Sequence, residues 1–204
     1  MKHTLSRVAL ALALLPLPAA AAQAVVGQPA PAFSVADSSG KAVSLTDFKG
    51  KTVVLEWVNP DCPFVRKHYD SANMQATQKG AAGQGVVWLA VNSTHSSHVD
   101  YKQPTDMAAW MKRQNAAATT TLMDSEGKIG RAYGARTTPH MYVVDAKGTL
   151  VYAGGIDDKP SANPADTKTA KNHVNAALAD VLAGRRVAQA VTRAYGCSVK
   201  YADG

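Results

Sequence analysis

The chain has 204 residues, of which 46% are hydrophobic and 18% are charged, and its formal net charge is +7 at pH 7. This length is sufficient for one domain with a hydrophobic core. The basic residues are scattered and do not alternate with aromatic residues along a stripe, so the composition argues against nucleic-acid binding. Two cysteines are present, Cys62 and Cys197. They are too few for a disulfide scaffold, but they can form one disulfide in an oxidising compartment.

The first 24 residues have the features of a secretory signal peptide. Lys2 and Arg7 give a positive start, a short apolar stretch follows, and Ala22-Gln23-Ala24 offers a small-residue cleavage site. We expect cleavage after Ala24 and export to a bacterial periplasm. An uncleaved anchor is the alternative, but the apolar run is short and interrupted by proline. No other long apolar run follows, so no stable membrane association is expected after cleavage.

Residues 25–204 are expected to form a single domain, with 185–204 as a C-terminal tail. In chain order, the first half predicts an N-terminal hairpin around Ser39-Gly40, a buried strand, a helix and a second buried strand. These elements are placed at 32–48, 52–58, 63–79 and 85–92, in that order. Pro63 suits the first turn of the helix, and Gly80 is expected to stop it. The order strand, helix, strand indicates a right-handed parallel crossover.

The second half continues with alternating elements of both kinds. It predicts a helix at 104–115, a short strand at 119–124, a short helix at 125–134 and a hairpin at 140–155. A last helix is predicted at about 168–183, and Gly184 ends it. The predicted fold class is therefore α/β, with a central mixed β-sheet flanked by helices, an N-terminal β-hairpin and a C-terminal helix followed by the tail.

Cys62 lies where the first buried strand meets the following helix. The first N–H groups of a helix and its dipole favour negative charge, so a thiol at this position is more readily a thiolate. Arg66 and Lys67, one turn on, add positive potential, and Asp61 opposes it. A buried and inert cysteine is the alternative interpretation. The connection at the carboxyl end of a strand favours the functional one, because α/β folds build their sites there.

A second unusual segment contains a proline directly before a strand. Pro139 is flanked by Thr137-Thr138 and His140, and proline is uncommon inside a sheet pattern. A tight turn with a cis Thr138–Pro139 bond would account for it.

The two segments together resemble the thioredoxin superfamily, in which a strand leads to a redox cysteine at a helix start and a later cis-proline loop faces that cysteine. The stretch VVLEWVNPDCPFV (53–65), with Pro60 and Pro63 on either side of the cysteine, resembles the first element, and RTTPHMYVVDAKG (136–148) resembles the second. The resemblance implies a thioredoxin-like fold.

Other segments narrow the resemblance. Residues 26–57 are similar to the opening of the alkyl hydroperoxide reductase/thiol-specific antioxidant (AhpC/TSA), or redoxin, branch. The segments CPFVRKHY, YAGGIDD, ALADVLAGRRV and GCSVKY resemble a bacterial peroxiredoxin-like group with a single cysteine in the active-site helix. Together these matches extend from residue 26 into the tail that carries Cys197.

The sequence also departs from both parent patterns. Val65 stands where thioredoxin-type reductases carry their second cysteine, so no local disulfide can form. Asn59 and Leu55 stand where peroxiredoxins carry a threonine and a proline, and Pro139 stands where they carry an arginine. Arg136, three residues earlier, is a candidate replacement for that arginine.

The resemblance and the residues together predict an exported thiol-dependent oxidoreductase, peroxiredoxin-like, acting on a peroxide or a protein disulfide with a thiol electron donor of unknown identity. Cys62 is the predicted nucleophile and Cys197, the only other cysteine, the candidate resolving thiol. Thr138 and Pro139 complete the predicted catalytic set, and the predicted supporting residues are Pro60, Asp61, Pro63, Arg66, Arg136 and His140.

Several alternatives stay open. In the first alternative, Cys62 and Cys197 form a permanent structural disulfide. In the second, the two cysteines do not pair. A periplasmic thiol-disulfide oxidoreductase is the main functional alternative. Copper or zinc binding by Cys62 with His68 or His140 is weaker, because the near second cysteine is missing. A redox-inactive binding module that uses Asp157-Asp158 is a further alternative, although an exposed loop explains these residues equally well. We expect no cofactor and no bound metal.

Overall fold

The structure is a computed structural model and describes residues 23–202. The predicted signal peptide therefore lies almost entirely outside the described residues. None of the helices within 23–202 is long and apolar enough to cross a membrane.

Nine short strands and five α-helices follow one another along the described chain. The strands are β1 (Ser34–Ala36), β2 (Ala42–Ser44), β3 (Val53–Trp57), β4 (Val87–Asn92), β5 (Thr120–Met123), β6 (Thr137–Thr138), β7 (His140–Val144), β8 (Leu150–Gly154) and β9 (Cys197–Ser198). The helices are α1 (Pro63–Asp70), α2 (Asn73–Ala82), α3 (Pro104–Arg113), α4 (Lys128–Tyr133) and α5 (His173–Leu182).

The central sheet has five strands in the order β5-β4-β3-β7-β8. The strand β3 is parallel to β4 and antiparallel to β7, so the sheet is mixed, as predicted. The predicted N-terminal hairpin is also present, as the antiparallel pair of β1 and β2. The carboxyl ends of β3 and β4 lie side by side, with Trp57 opposite Val91, and this edge carries the candidate site.

The strand β3 is buried on both faces, which explains its continuous apolar sequence. Val53, Leu55 and Trp57 pack into one core cluster together with the hairpin and α4. Val54 and Val58 face the opposite cluster, which contains residues of α1, α2, α3 and α5. Helices therefore cover both faces of the sheet, and Cys62 follows directly from its most buried strand.

The single helix predicted over 63–79 is wrong, because the structure has two helices there. Ala72 adopts a left-handed conformation with φ 59°, which ends α1 and allows α2 to start in a new direction. The Ser71 hydroxyl donates to the Lys67 carbonyl at 2.7 Å and satisfies one of the last carbonyls of α1. Gly80 does not stop the second helix, which continues to Ala82.

The last predicted helix begins later than expected. Residues Pro164–Lys168 form a 3₁₀ turn instead, and α5 starts at His173. Asn172 sets this start because its side chain accepts a hydrogen bond from the Asn175 N–H at 2.9 Å. The tail after α5 contains no further helix among the described residues. Near its end, the tail strand β9 pairs with β6 in antiparallel orientation.

Candidate active site

Cys62 is the residue that immediately precedes α1, as predicted, but it is not exposed. Its relative exposure is 1%. The Cys62 Sγ donates a hydrogen bond to the Thr138 carbonyl at 3.0 Å. The Cys62 backbone carbonyl, and not its sulfur, accepts the N–H groups of Val65 and Arg66 at 3.0 Å each. The Cys62 side chain thus accepts no capping hydrogen bond, and the expected stabilisation of a thiolate by helix N–H groups is not seen, because the Cys62 carbonyl accepts the first helical hydrogen bonds instead.

The proline loop has the predicted conformation. The Thr138–Pro139 peptide bond is cis. The Thr138 carbonyl at this bond accepts the hydrogen bond from Cys62. Thr138 is 3% exposed, and its hydroxyl has no hydrogen-bond partner among the described residues. The Thr138 carbonyl of the loop thus binds the Cys62 sulfur, and the Thr138 hydroxyl is buried in the same residue.

Cys197 reaches the site through the pairing of β9 with β6, in which it lies directly opposite Thr138. Burial, a hydrogen bond with Cys62 and the charge of an ionised Cys62 together raise the pKa of Cys197 to about 12. The Cys197 side chain packs against the core cluster that contains Cys62, and both cysteines are free thiols here.

Gly196 allows this close approach. Its φ is 141°, and a Cβ atom at this position would lie 2.0 Å from the Thr138 carbonyl oxygen. Only a residue without a side chain fits against the loop here. The close contact with the Thr138 carbonyl therefore requires glycine at position 196.

The charges beside Cys62 are largely compensated. Asp61 forms ion pairs with Arg66, at 3.2 Å, and with Lys102. The Arg66 Nε also donates to the Pro60 carbonyl at 2.9 Å, which holds the turn before the helix. Because each of these cations faces Asp61, the positive potential that the sequence suggested for Arg66 is weaker than expected.

Lys67 does not supply surface potential either, since its side chain is fully buried. Its Nζ lies 3.2 Å from Asp157 Oδ2, 3.1 Å from Tyr195 Oη and 2.6 Å from the Lys159 carbonyl oxygen. Tyr195 also donates to Asp157 Oδ1 and lies 3.2 Å from His68 Nε2. The interpretation of Asp157 as part of an exposed loop is thus wrong, because this carboxylate is 3% exposed and paired with a lysine from α1.

The predicted supporting residues Arg136 and His140 lie beside the proline loop. The Arg136 N–H donates to His140 Nδ1 at 3.2 Å, and the Arg136 carbonyl accepts from the Val199 N–H at 3.0 Å. Burial, with the nearby Arg136 charge, lowers the pKa of His140 to about 4. Within residues 23–202 no hydrogen bond joins Arg136 to Cys62, so the structure does not place this arginine in the role that peroxiredoxins give to theirs.

Glu56 is a buried carboxyl group that sequence reasoning missed. It is the fourth of the five residues of β3, has no exposed surface and accepts hydrogen bonds from Trp88 Nε1 at 2.7 Å, Tyr69 Oη at 2.9 Å and Gln78 Nε2 at 3.0 Å. Burial raises its pKa to about 7 in spite of these donors. Its position six residues before Cys62, inside an otherwise apolar run, is the signal that could have identified it.

The residues suggested for metal binding are not gathered into a metal site. Among residues 23–202, no group of three or more histidine, cysteine, aspartate or glutamate side chains could hold a metal ion. His68 is held by Tyr195 and by Asn73, whose side-chain nitrogen lies 2.9 Å from its Nδ1. Burial lowers the pKa of His68 to about 4.

Comparison with known proteins places the chain in a family. The sequence model of the AhpC/TSA family matches residues 26–153. The thiol:disulfide interchange protein DsbE of Pseudomonas aeruginosa is 26% identical over 140 residues, which cover 67% of this chain and 71% of that protein.

Two solved structures are similar in fold. One is an uncharacterized conserved protein from Geobacillus kaustophilus, with a TM-score of 0.77, 26% identity, and coverage of 88% of this chain and 94% of that one. The other is a thiol:disulfide interchange protein from Bacteroides sp., with a TM-score of 0.52, 21% identity, and coverage of 72% and 88%. These similarities confirm the predicted thioredoxin-like fold, and the family match over residues 26–153 shows that the chain belongs to the AhpC/TSA family.

Proposed function

We propose that the protein is an exported thiol-dependent oxidoreductase in which Cys62 and Cys197 alternate between a dithiol and a disulfide. The observation that supports this most strongly is the placement of Cys197 opposite Thr138, whose carbonyl accepts the Cys62 thiol at 3.0 Å. Two residues separated by 135 positions meet here because the tail pairs with the proline loop. A purely inert pair of cysteines would need no such arrangement.

The proposed substrate is a small peroxide. The Cys62 thiolate attacks one oxygen of the peroxide, the O–O bond breaks, and an alkoxide or hydroxide leaves and takes up a proton. Cys62 is then a sulfenic acid. The Cys197 sulfur attacks the Cys62 sulfur, which forms the disulfide and releases water. Two equivalents of an external thiol reduce this disulfide to two thiols and are themselves oxidised to a disulfide.

The pKa of Cys197 suits the order of these steps. Burial first, and then the hydrogen bond with Cys62 and the charge of an ionised Cys62, raise the pKa of Cys197 to about 12, so Cys197 stays protonated before the peroxide reacts. A sulfenic acid at Cys62 carries no charge, which removes the charge contribution and leaves that of burial. Cys197 then loses its proton more readily and attacks.

The cover over Cys62 favours a small oxidant. At 1% exposure the sulfur lies beneath the tail, so a peroxide needs little displacement of the chain whereas a folded protein disulfide needs much. A second candidate is disulfide exchange with a protein, supported by the 26% identity to the DsbE interchange protein. In that case the tail has to leave β6 before the substrate reaches Cys62.

Export to a periplasm is part of the proposal and rests on the leader sequence, with cleavage after Ala24. An oxidising compartment would regenerate the disulfide form, so a dedicated thiol donor has to supply reducing equivalents.

The test measures hydrogen peroxide consumption by the reduced mature protein with dithiothreitol as donor, beside the Cys62→Ser variant. We expect turnover in the wild type and none in the variant. Reduction of a disulfide-bonded protein without peroxide consumption would favour the second candidate. A Cys62 that neither peroxide nor a disulfide oxidises in the folded protein would contradict both.

A further inference from the structure

The network of Lys67, Asp157 and Tyr195 links the two cysteine-bearing segments. Tyr195 is two residues before Cys197, and Lys67 lies on α1, the helix that Cys62 starts. The Tyr195 hydroxyl donates to Asp157 and lies 3.1 Å from Lys67 Nζ. One phenol from the tail is thus inserted into a buried ion pair of the helix.

The ring of Tyr195 strengthens the same link. It packs edge-on against Phe64, with ring centroids 5.9 Å apart, and Phe64 is two residues after Cys62. The Lys67 Nζ also lies 5.2 Å from the centre of the Tyr195 ring. The Tyr195 side chain is therefore fixed at both its ring and its hydroxyl by the first two turns of α1.

The partners of Tyr195 are held tightly themselves. The Lys67 side chain has no exposed surface and that of Asp157 only 2%. A buried ion pair is costly to form and to disturb, so its geometry is well defined when further hydrogen bonds satisfy both groups. Here the Lys159 carbonyl accepts from Lys67 at 2.6 Å, which completes that satisfaction.

We propose that Tyr195, held by the buried Lys67–Asp157 pair, is a positioning residue that fixes Cys197 against Cys62 and so raises the effective concentration of one thiol at the other. This inference rests on the proposed function, because it assumes that the two cysteines form a reversible disulfide. Prior alignment of two reacting groups favours their bond, since little freedom is lost when it forms.

The test is equilibration of each protein with glutathione. One protein dithiol and one oxidised glutathione give one protein disulfide and two reduced glutathione molecules, so the equilibrium constant reports the effective concentration. In Tyr195→Phe the ring contact with Phe64 remains and the hydroxyl is lost. We expect its equilibrium constant to fall about tenfold, which corresponds to about 30 mV in reduction potential.

Tyr133→Phe is the matched control. Tyr133 is also buried, and its hydroxyl donates one hydrogen bond to the Pro31 carbonyl at 2.9 Å, far from the network in sequence. The Tyr133→Phe variant should be less stable than the wild type but should keep the wild-type equilibrium constant with glutathione. A role of Tyr195 in stability alone would affect dithiol and disulfide forms equally, and its variant would then also keep the wild-type constant. That result would overturn the inference.

A second variant covers the case in which Tyr195→Phe does not fold. The double substitution Lys67→Met with Asp157→Leu removes both charges together, which proteins often tolerate. We expect the same fall in the equilibrium constant, and no additional fall when Tyr195→Phe is combined with it. A wild-type constant in the double variant would overturn the inference. A wild-type protein that forms no disulfide at any glutathione ratio would instead refute the proposed function itself.

Discussion

Cys197 lies directly opposite Thr138 in an antiparallel strand pair, and Thr138 in turn accepts the Cys62 thiol proton at 3.0 Å. The cis-proline loop is thus the meeting point of two cysteines that are far apart in sequence. Thr138 of this loop binds Cys62 through its carbonyl and pairs with Cys197 of the tail.

The two cysteines should respond differently to replacement. In Cys197→Ser, peroxide should oxidise Cys62 to a sulfenic acid that accumulates, because the resolving thiol is missing, and the protein should gain one oxygen atom or more on over-oxidation. In Cys62→Ser, Cys197 should react much more slowly than Cys62 does in Cys197→Ser, because burial, the largest cause of its raised pKa, remains in the variant and disfavours the thiolate. Intact mass after peroxide treatment distinguishes these outcomes. Rapid oxidation of Cys197 in Cys62→Ser would show that the assigned roles are wrong.

Gly196→Ala should lift the tail from the site. The added Cβ would lie 2.0 Å from the Thr138 carbonyl oxygen, so the tail has to move. We expect a loss of about 1–3 kcal/mol in the free energy of unfolding and faster alkylation of Cys62 by iodoacetamide.

Gly85→Ala is the control for this substitution. Gly85 also has a positive φ, 78°, but its Cβ would meet nothing within 4 Å. It should lose about 1–2 kcal/mol from backbone strain alone, with Cys62 as protected as in the wild type. Equal alkylation rates in Gly196→Ala and Gly85→Ala would mean that the tail does not shield Cys62.

Glu56 should make stability depend on pH. Its pKa is about 7 in the folded protein against an ordinary value of 4.5, so the folded state binds the proton more tightly. The resulting contribution is fully present below about pH 4.5 and is lost as the pH rises through 7. The loss amounts to about 3 kcal/mol well above pH 7.

The comparison with Glu56→Gln isolates this effect. His68 and His140, with pKa values lowered to about 4, act in the opposite direction, since their contribution is lost as the pH falls from about 6.5 towards 4. Both histidines are retained in the variant and cancel in the difference. Urea unfolding should show the stability of the wild type falling relative to Glu56→Gln as the pH rises from about 5 to 8. A constant difference would contradict the proposed protonation of Glu56.

The sequence predicted the sheet and the proline loop because local patterns specify them. A β-branched apolar run bounded by turn residues indicates β3, and a proline between threonines and a strand indicated the cis Thr138–Pro139 bond. The position of Cys62 at a helix start followed from the same patterns. These features depend on residues that are close together in the chain.

Features that depend on distant residues were predicted poorly. The sequence suggests that Lys67 is a surface charge on a helix and that Asp157 is an exposed loop residue. Both side chains are buried, because they form an ion pair with each other. The break at Ala72 was missed since alanine gives no signal for a left-handed conformation. The burial of Cys62 was missed because the tail that covers it lies 135 residues further along.

Titration of the reduced protein, without residues 1–24, with one equivalent of hydrogen peroxide tests directly whether Cys62 and Cys197 form a disulfide within one chain. Intact mass and peptide mapping should show a monomer that has lost two hydrogen atoms, with a disulfide that joins the peptides containing Cys62 and Cys197. Two unreacted thiols, or a disulfide between two chains, would contradict it.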